Sequence, residues 1–126
     1  MKAFSAAWKK SKQRRKQRKY RYNAPLHIKQ KFIGAHMSRE LRQKYGKRSA
    51  GLRKGDVVKV LRGKFRKKTG RVDRVDLKRN RIYIIGIEAK KRDGTKAFIP
   101  INPSKVMITE LNIDDKQRQK KFRGKK

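Results

Sequence analysis

Lysine and arginine are the side chains in this sequence best equipped for chemistry, and two runs concentrate them. Residues 8–22 hold Lys9, Lys10, Lys12, Arg14, Arg15, Lys16, Arg18, Lys19 and Arg21, interleaved with Trp8, Tyr20 and Tyr22. Residues 62–71 hold Arg62, Lys64, Arg66, Lys67, Lys68 and Arg71 around Phe65, with Gly63 and Gly70 near the ends. Neither run contains an acid. Smaller groups follow at Arg39, Arg42 and Lys44, and at Lys78 and Arg79. The chemistry open to such side chains is the non-covalent grip of phosphate: arginine through a planar fork, lysine as a point charge. Each cation that neutralises a phosphate releases condensed counterions, so binding would weaken steeply as salt rises. The bland alternative for each run is solvated charge, and for the glycines a simple turn. The balance of the whole chain, 42 Lys and Arg against 9 Asp and Glu for a net +33, favours a polyanion partner, and specifically nucleic acid.

Other chemistries find little support. The chain has no cysteine, which removes disulfides, thiolate nucleophiles and Cys-based zinc sites. His27 and His36 have no Cys, Asp or Glu at ligand spacing, so no metal or cofactor is expected. Asp73 and Asp76 are close in sequence, but an odd separation puts them on opposite faces of a strand unless a bulge intervenes. There is no Ser-His-Asp arrangement and no Walker loop, so catalysis is not expected. No stretch approaches the roughly 20 apolar residues of a membrane span, and no helix offers the apolar face of a membrane-surface anchor. The opening apolar run is too short for a signal peptide. A soluble, cytoplasmic protein is expected.

The cations need elements to position them, and the chain divides by charge and pattern. Residues 1–23 form an acid-free basic extension, expected to be mostly disordered free in water and to order on phosphates. Its aromatics can stack on unpaired bases or pack against protein; the sequence does not separate the two. Residues 24–51 suggest two short helices packed beside a barrel. Pro25 suits a helix start, and Gly34 breaks that first run. Ser38 suits an N-cap with Glu40 in the first turn, Leu41 and Tyr45 pair at i, i+4, and Gly46 supplies the stop. Residues 52–111 hold the β-rich runs: 57–61, 71–75, 82–85, 96–99 and 106–108. Val72 and Val75 are out of step for a period of two, which predicts a bulge. Asp93-Gly94 signals a hairpin. Residues 112–126 form a basic tail, for which a helix is one option. The fold expected is mainly β: a small five-stranded barrel with short N-terminal helices and basic N- and C-terminal extensions.

Gly55-Asp56-Val57-Val58-Lys59-Val60-Leu61-Arg62-Gly63, followed by Gly70-Arg71-Val72-Asp73-Arg74-Val75, resembles a KOW motif. The flanks narrow the resemblance. Tyr22-Asn23-Ala24-Pro25-Leu26-His27, the segment 37–46 and Ile101-Asn102-Pro103-Ser104-Lys105-Val106 are similar to the archaeal type of the large-subunit ribosomal protein L-twenty-four family, whose eukaryotic counterpart is L-twenty-six. The resemblance runs from about Arg18 to about Gln119. It implies an SH3-like KOW barrel that contacts the 5′ region of large-subunit ribosomal RNA near the polypeptide tunnel exit and supports subunit assembly. Neighbouring ribosomal proteins, and factors docking at the tunnel exit, would be its protein partners, with no membrane insertion and no homo-oligomer. The positions it implies for RNA contact are Arg62, Lys64, Phe65, Arg66, Lys67 and Lys68, with the helix around Arg39 and Arg42. Two departures stand out. Relatives often have Lys-Gly where this chain has Arg66-Lys67, and a lysine at positive φ would be strained. Relatives also read Leu-Pro-Ile-Arg where this chain has Ser49-Ala50-Gly51-Leu52-Arg53. A KOW-class transcription factor is the rival reading; such factors usually pair the motif with another folded domain, whereas this chain has basic arms.

Overall fold

The computed structural model describes residues 4, 5, 7, 8 and 10–122; Lys9 and the last four residues of the basic tail lie outside them. The described chain is a mixed α/β fold with a mostly sheet core and four helices. In order these are α1 (Arg14–Asn23), α2 (Leu26–Phe32), β1 (Gly34–Met37), α3 (Arg39–Tyr45), β2 (Ser49–Gly51), β3 (Val57–Val60), β4 (Thr69–Asp76), β5 (Arg81–Ile84), β6 (Glu88–Lys90), β7 (Lys96–Phe98), a 3₁₀ turn (Pro103–Lys105), β8 (Val106–Glu110) and α4 (Lys116–Phe122).

Six strands pair in the order β2-β1-β8-β3-β4-β5, and β6 pairs with β7 in a separate hairpin. Every pairing is antiparallel except β1 with β8. An isolated antiparallel bridge joins Ile82 to Ile101, and the Ile99 amide donates to the Ile87 carbonyl. Alternation along the strands builds the core. Val58 and Val60 on β3, Ile82 and Ile84 on β5, and Val106 and Ile108 on β8 all point inward and are buried with Met37 and Val72. Burying each such side chain stabilises the fold by about 1.5–3 kcal/mol.

Several local expectations hold. The side chain of Ser38 accepts from the Leu41 amide, Glu40 lies in the first turn of α3, and Gly46 ends the helix in the left-handed region. The β4–β5 register shifts between Val72 and Arg74, the bulge that the spacing of Val72 and Val75 predicts. Asp93-Gly94 sits at the β6–β7 turn, where the Asp93 carboxylate accepts from the Thr95 amide and hydroxyl.

The strand count differs. The pattern predicts five strands and eight are present among the described residues, because residues 24–51 contribute two strands as well as two helices, and Glu88–Lys90 adds a third as the first arm of the β6–β7 hairpin. Gly34, read as a helix breaker, is also the first residue of β1. β1 and β2 have four and three residues, too few to display a period of two.

Among the described residues, each basic terminal segment contains a helix. Helix α1 has no side-chain cap bond, no acid in its first turn and no buried residue. What packs it is aromatic: the Tyr20 ring lies 5.0 Å from Phe4, 5.6 Å from Trp8 and 6.1 Å from Phe32. Trp8 and Tyr20 thus pack against protein, while Tyr22 stays exposed. At the other end, Phe122 on α4 is buried against the core and lies 5.3 Å from Tyr45.

Candidate nucleic-acid interface

Three elements distant in sequence converge on one groove. Helix α1 supplies Arg18 and Arg21, α2 supplies Lys29, and the β4–β5 turn with the start of β5 supplies Lys78, Arg79 and Arg81. Tyr22, Phe32 and Tyr83 complete much of the wall, and no acid lines it among the described residues. The turn is held by Asp76, whose Oδ1 accepts from the Arg79 amide at 3.0 Å, and by Asn80 at φ 55°. Aromatic faces orient one groove cation and one neighbour: Arg21 lies 5.9 Å from the Phe32 centroid, and Arg74, outside the groove lining, lies 4.3 Å from that of Tyr83. Like charges held this close repel in the absence of a counter-charge, and a polyanion relieves that repulsion.

A second cationic group forms around His36 on β1. Partial burial, then Arg42, Arg48 and Arg62, holds the His36 imidazole below its ordinary value. The glycine-bounded loop and α3, which the sequence treats as separate, thus share one electrostatic neighbourhood. Arg42 is half-buried, and its Nε donates to the Met37 carbonyl at 2.8 Å, which fixes its direction.

Within the loop, Lys64, Arg66, Lys67 and Lys68 are exposed or nearly so, with Arg62 at its start. Phe65 turns inward and packs on the core, with Lys68 Nζ 5.5 Å from its ring. Phe65 is only partly buried, and its packing helps to seat the loop. Lys67 adopts φ 73°, so the left-handed conformation survives the loss of glycine there. Its amide donates to the Val60 carbonyl, and the Val60 amide donates to the Lys68 carbonyl, so the loop base over-determines that strained residue. Gly70 has a packing reason to be glycine. It lies in β4, where a Cβ would come within 2.5 Å of the Ile85 carbonyl oxygen and 2.6 Å of an Ile84 methyl group.

The other expected contacts are distributed. Lys10 and Lys12 precede α1; Arg14, Arg15, Lys16 and Lys19 lie on it; Arg39 and Lys44 lie on α3; Arg71 lies on β4. None of them lines the groove. Sequence reasoning missed Lys29, Arg81 and Arg48. Arg81 is two residues beyond the basic turn and could have been found by extending it; Lys29 and Arg48 carry no local signal.

One cation proves not to be a surface group. Arg118 on α4 is 4% exposed and Asp56 is fully buried. Arg118 Nη1 donates to Asp56 Oδ1 at 2.6 Å and to the Asn112 carbonyl at 2.7 Å. Its Nη2 donates to Asp56 Oδ2 at 2.8 Å and to the Gly51 carbonyl at 3.0 Å. Asp56 also accepts from the Arg53 and Asn112 amides. The forked pair leaves both charges well satisfied. Nearby, Arg53 pairs with Asp115 and holds that carboxyl below its ordinary range.

The acids considered for catalysis have other work. Asp76 caps the β4–β5 turn, and Asp73 lines a second hollow beside Arg74. Among the described residues no three His, Asp or Glu side chains gather as a metal would require, and no helix is long and apolar enough to cross a membrane.

Over residues 11–125 the chain matches the family described as ribosomal proteins L26 in eukaryotes and L-twenty-four in archaea. It is 54% identical to the large ribosomal subunit protein uL24 of Methanothrix thermoacetophila over 112 residues, covering 89% of this chain and 97% of that protein. It is 50% identical over 114 residues to the uL24 of Methanoculleus marisnigri, covering 90% and 94%. It is 51% identical over 108 residues to that of Methanosarcina barkeri, covering 86% and 93%. Cationic surfaces on a fold with no catalytic constellation among the described residues, and this extent of similarity, lead to one assignment: the chain belongs to the family of eukaryotic L26 and archaeal L-twenty-four ribosomal proteins, whose members are structural and not enzymes.

Proposed function

We propose that this chain, a structural constituent of the large ribosomal subunit, binds large-subunit ribosomal RNA near the polypeptide tunnel exit and supports subunit assembly. The observation that carries the RNA reading is the acid-free groove of Arg18, Arg21, Lys29, Lys78, Arg79 and Arg81. The exposed cations of the loop and of α3 form a second contact, and Lys10 to Lys19 extend the first along α1. Two contacts on one rigid fold can hold together RNA segments that repel each other.

In this reading the six-stranded sheet, with its Ile82–Ile101 bridge, is an SH3-like KOW barrel. The working division is 1–23 as the N-terminal arm, 24–51 as the preface, 52–111 as the barrel and 112–126 as the C-terminal arm. Neighbouring ribosomal proteins and factors at the tunnel exit are its protein partners, and it acts as one copy per subunit.

The test is a gradient fractionation of cells expressing the tagged full chain, with crosslinks mapped on the RNA. The expected result is co-sedimentation with large subunits through a moderate salt wash, with crosslinks near the 5′ region. Free chain with none on subunits overturns the reading.

A further inference from the structure

We infer that the groove between α1, α2 and the β4–β5 turn seats an unpaired RNA nucleotide, recognising its nucleoside as well as its phosphates. This rests on the reading that the chain binds RNA, and it goes further by naming what the groove accepts.

The six cations account only for an anion. Three other features of the same groove are wasted on a bare phosphate or on the backbone of a duplex. The first is Tyr22, 82% exposed at the groove wall. Lys29 Nζ lies over one face of its ring, 6.0 Å from the centroid, and the exposure leaves ring surface open to a stacked base. Bases inside a duplex keep their faces in the helical stack and cannot use such a ring. The second is Asn80, which lines the groove from the β4–β5 turn. Its Oδ1 is shut off from solvent and has no hydrogen-bond partner among the described residues. An amide oxygen accepts only, and so does a phosphate oxygen, so phosphate cannot satisfy it. A ribose 2′-hydroxyl or a base N–H can. Turning the carboxamide toward the groove sacrifices no bond at Oδ1, and it ends the cost of a buried unpaired acceptor. The third is size. The hollow has a volume of about 810 Å³, within the usual range for sites that enclose a small molecule.

These features also divide the labour. Arg18 and Arg21 reach from the helix side, and Arg79 and Arg81 from the turn side, so the phosphates on either side of one nucleotide each meet arginine. Tyr22 then stacks the base and Asn80 selects ribose or base edge.

The test uses the full chain and three fluorescent probes of equal length: single-stranded oligoriboadenylate, its 2′-deoxy counterpart, and a fully paired RNA duplex. The expected result is tightest binding to the single-stranded ribo-oligomer. Tyr22→Ala should weaken that binding by about tenfold, the typical worth of one stacked base, and leave the duplex unaffected. Tyr22 is exposed, so this variant does not threaten folding. Asn80→Gly, which keeps the positive φ accessible, should lower the preference for ribose or the overall single-strand affinity several-fold. Substituting Lys64 and Arg66 by Ala should weaken all three probes alike and preserve their order. Equal binding of all three probes by the natural chain, or no change with Tyr22→Ala and Asn80→Gly, overturns the inference while leaving RNA binding intact. Failure to bind any probe, together with failure to bind large-subunit RNA, overturns the functional reading itself and this inference with it.

Discussion

The two ends of the chain have nearly the same composition and are fastened in different ways. Helices α1 and α4 are both rich in Lys and Arg, and neither has an acid in its first turn. Helix α1 buries no residue and rests on the ring contacts of Tyr20. Helix α4 buries Arg118 and Phe122, and Arg118 forks onto the buried Asp56. A count of cations therefore does not count RNA contacts. At one end the charge is free to meet phosphate; at the other a charge has been withdrawn from the surface to hold the helix down.

The contrast can be broken most forcefully at the buried pair. Asp56→Ala leaves the Arg118 guanidinium buried without a counter-charge and strips two backbone amides of an acceptor. It should cost about 3–5 kcal/mol, read as a shift in the urea midpoint at unchanged slope. A loss below about 1 kcal/mol would mean that α4 is as loosely held as α1. Tyr20→Ala is the matching change at the other end. Its ring pairs are worth about 0.5–1.5 kcal/mol each, and because α1 buries nothing the loss should stay local. Hydrogen exchange should speed up in α1 alone; faster exchange across the sheet would make the two ends equivalent.

Smaller effects sharpen the picture of the second cationic group. Lys67→Gly removes the strain of a side chain at φ 73° and should stabilise the protein by up to about 1 kcal/mol. An unchanged melting temperature would show that the loop does not hold that conformation. The smallest effect is the pH response of His36. Its folded value lies below the ordinary 6.5, so the unfolded chain takes up the proton first. Stability is therefore full above 6.5 and declines as pH falls from there toward the folded value. His36→Gln should flatten that decline, and a parallel pair of pH–stability curves would contradict the partial burial of His36 beside Arg42, Arg48 and Arg62.

Features set by neighbouring residues are legible in the sequence itself. Ser38, Glu40 and Gly46 bracket α3 within one short segment, and Val72 and Val75 announce their bulge by spacing alone. Features set by distant pairing are not. Nothing in the sequence of α4 distinguishes Arg118 from its neighbours, because its partner lies 62 residues away. The groove likewise needs Arg21 and Arg81 on one wall, which only the packing of α1 on α2, and of α2 beside the sheet, arranges. Phe65 is a related case. A lone aromatic in a basic loop reads as a stacking platform, and its packing on the core becomes visible only with the fold.

The division of cations between RNA and fold is tested most directly by the salt dependence of binding between the full chain and large-subunit RNA. The logarithm of the binding constant should fall linearly with the logarithm of salt concentration. Replacing Arg18, Arg79 and Arg81 by Ala should make the slope shallower by about 0.7–0.9 for each phosphate no longer neutralised, whereas Arg118→Lys should leave it unchanged. A slope near zero for the natural chain, or one that responds to Arg118 and not to the groove arginines, would contradict the assignment of surface cations to RNA and of Arg118 to the fold.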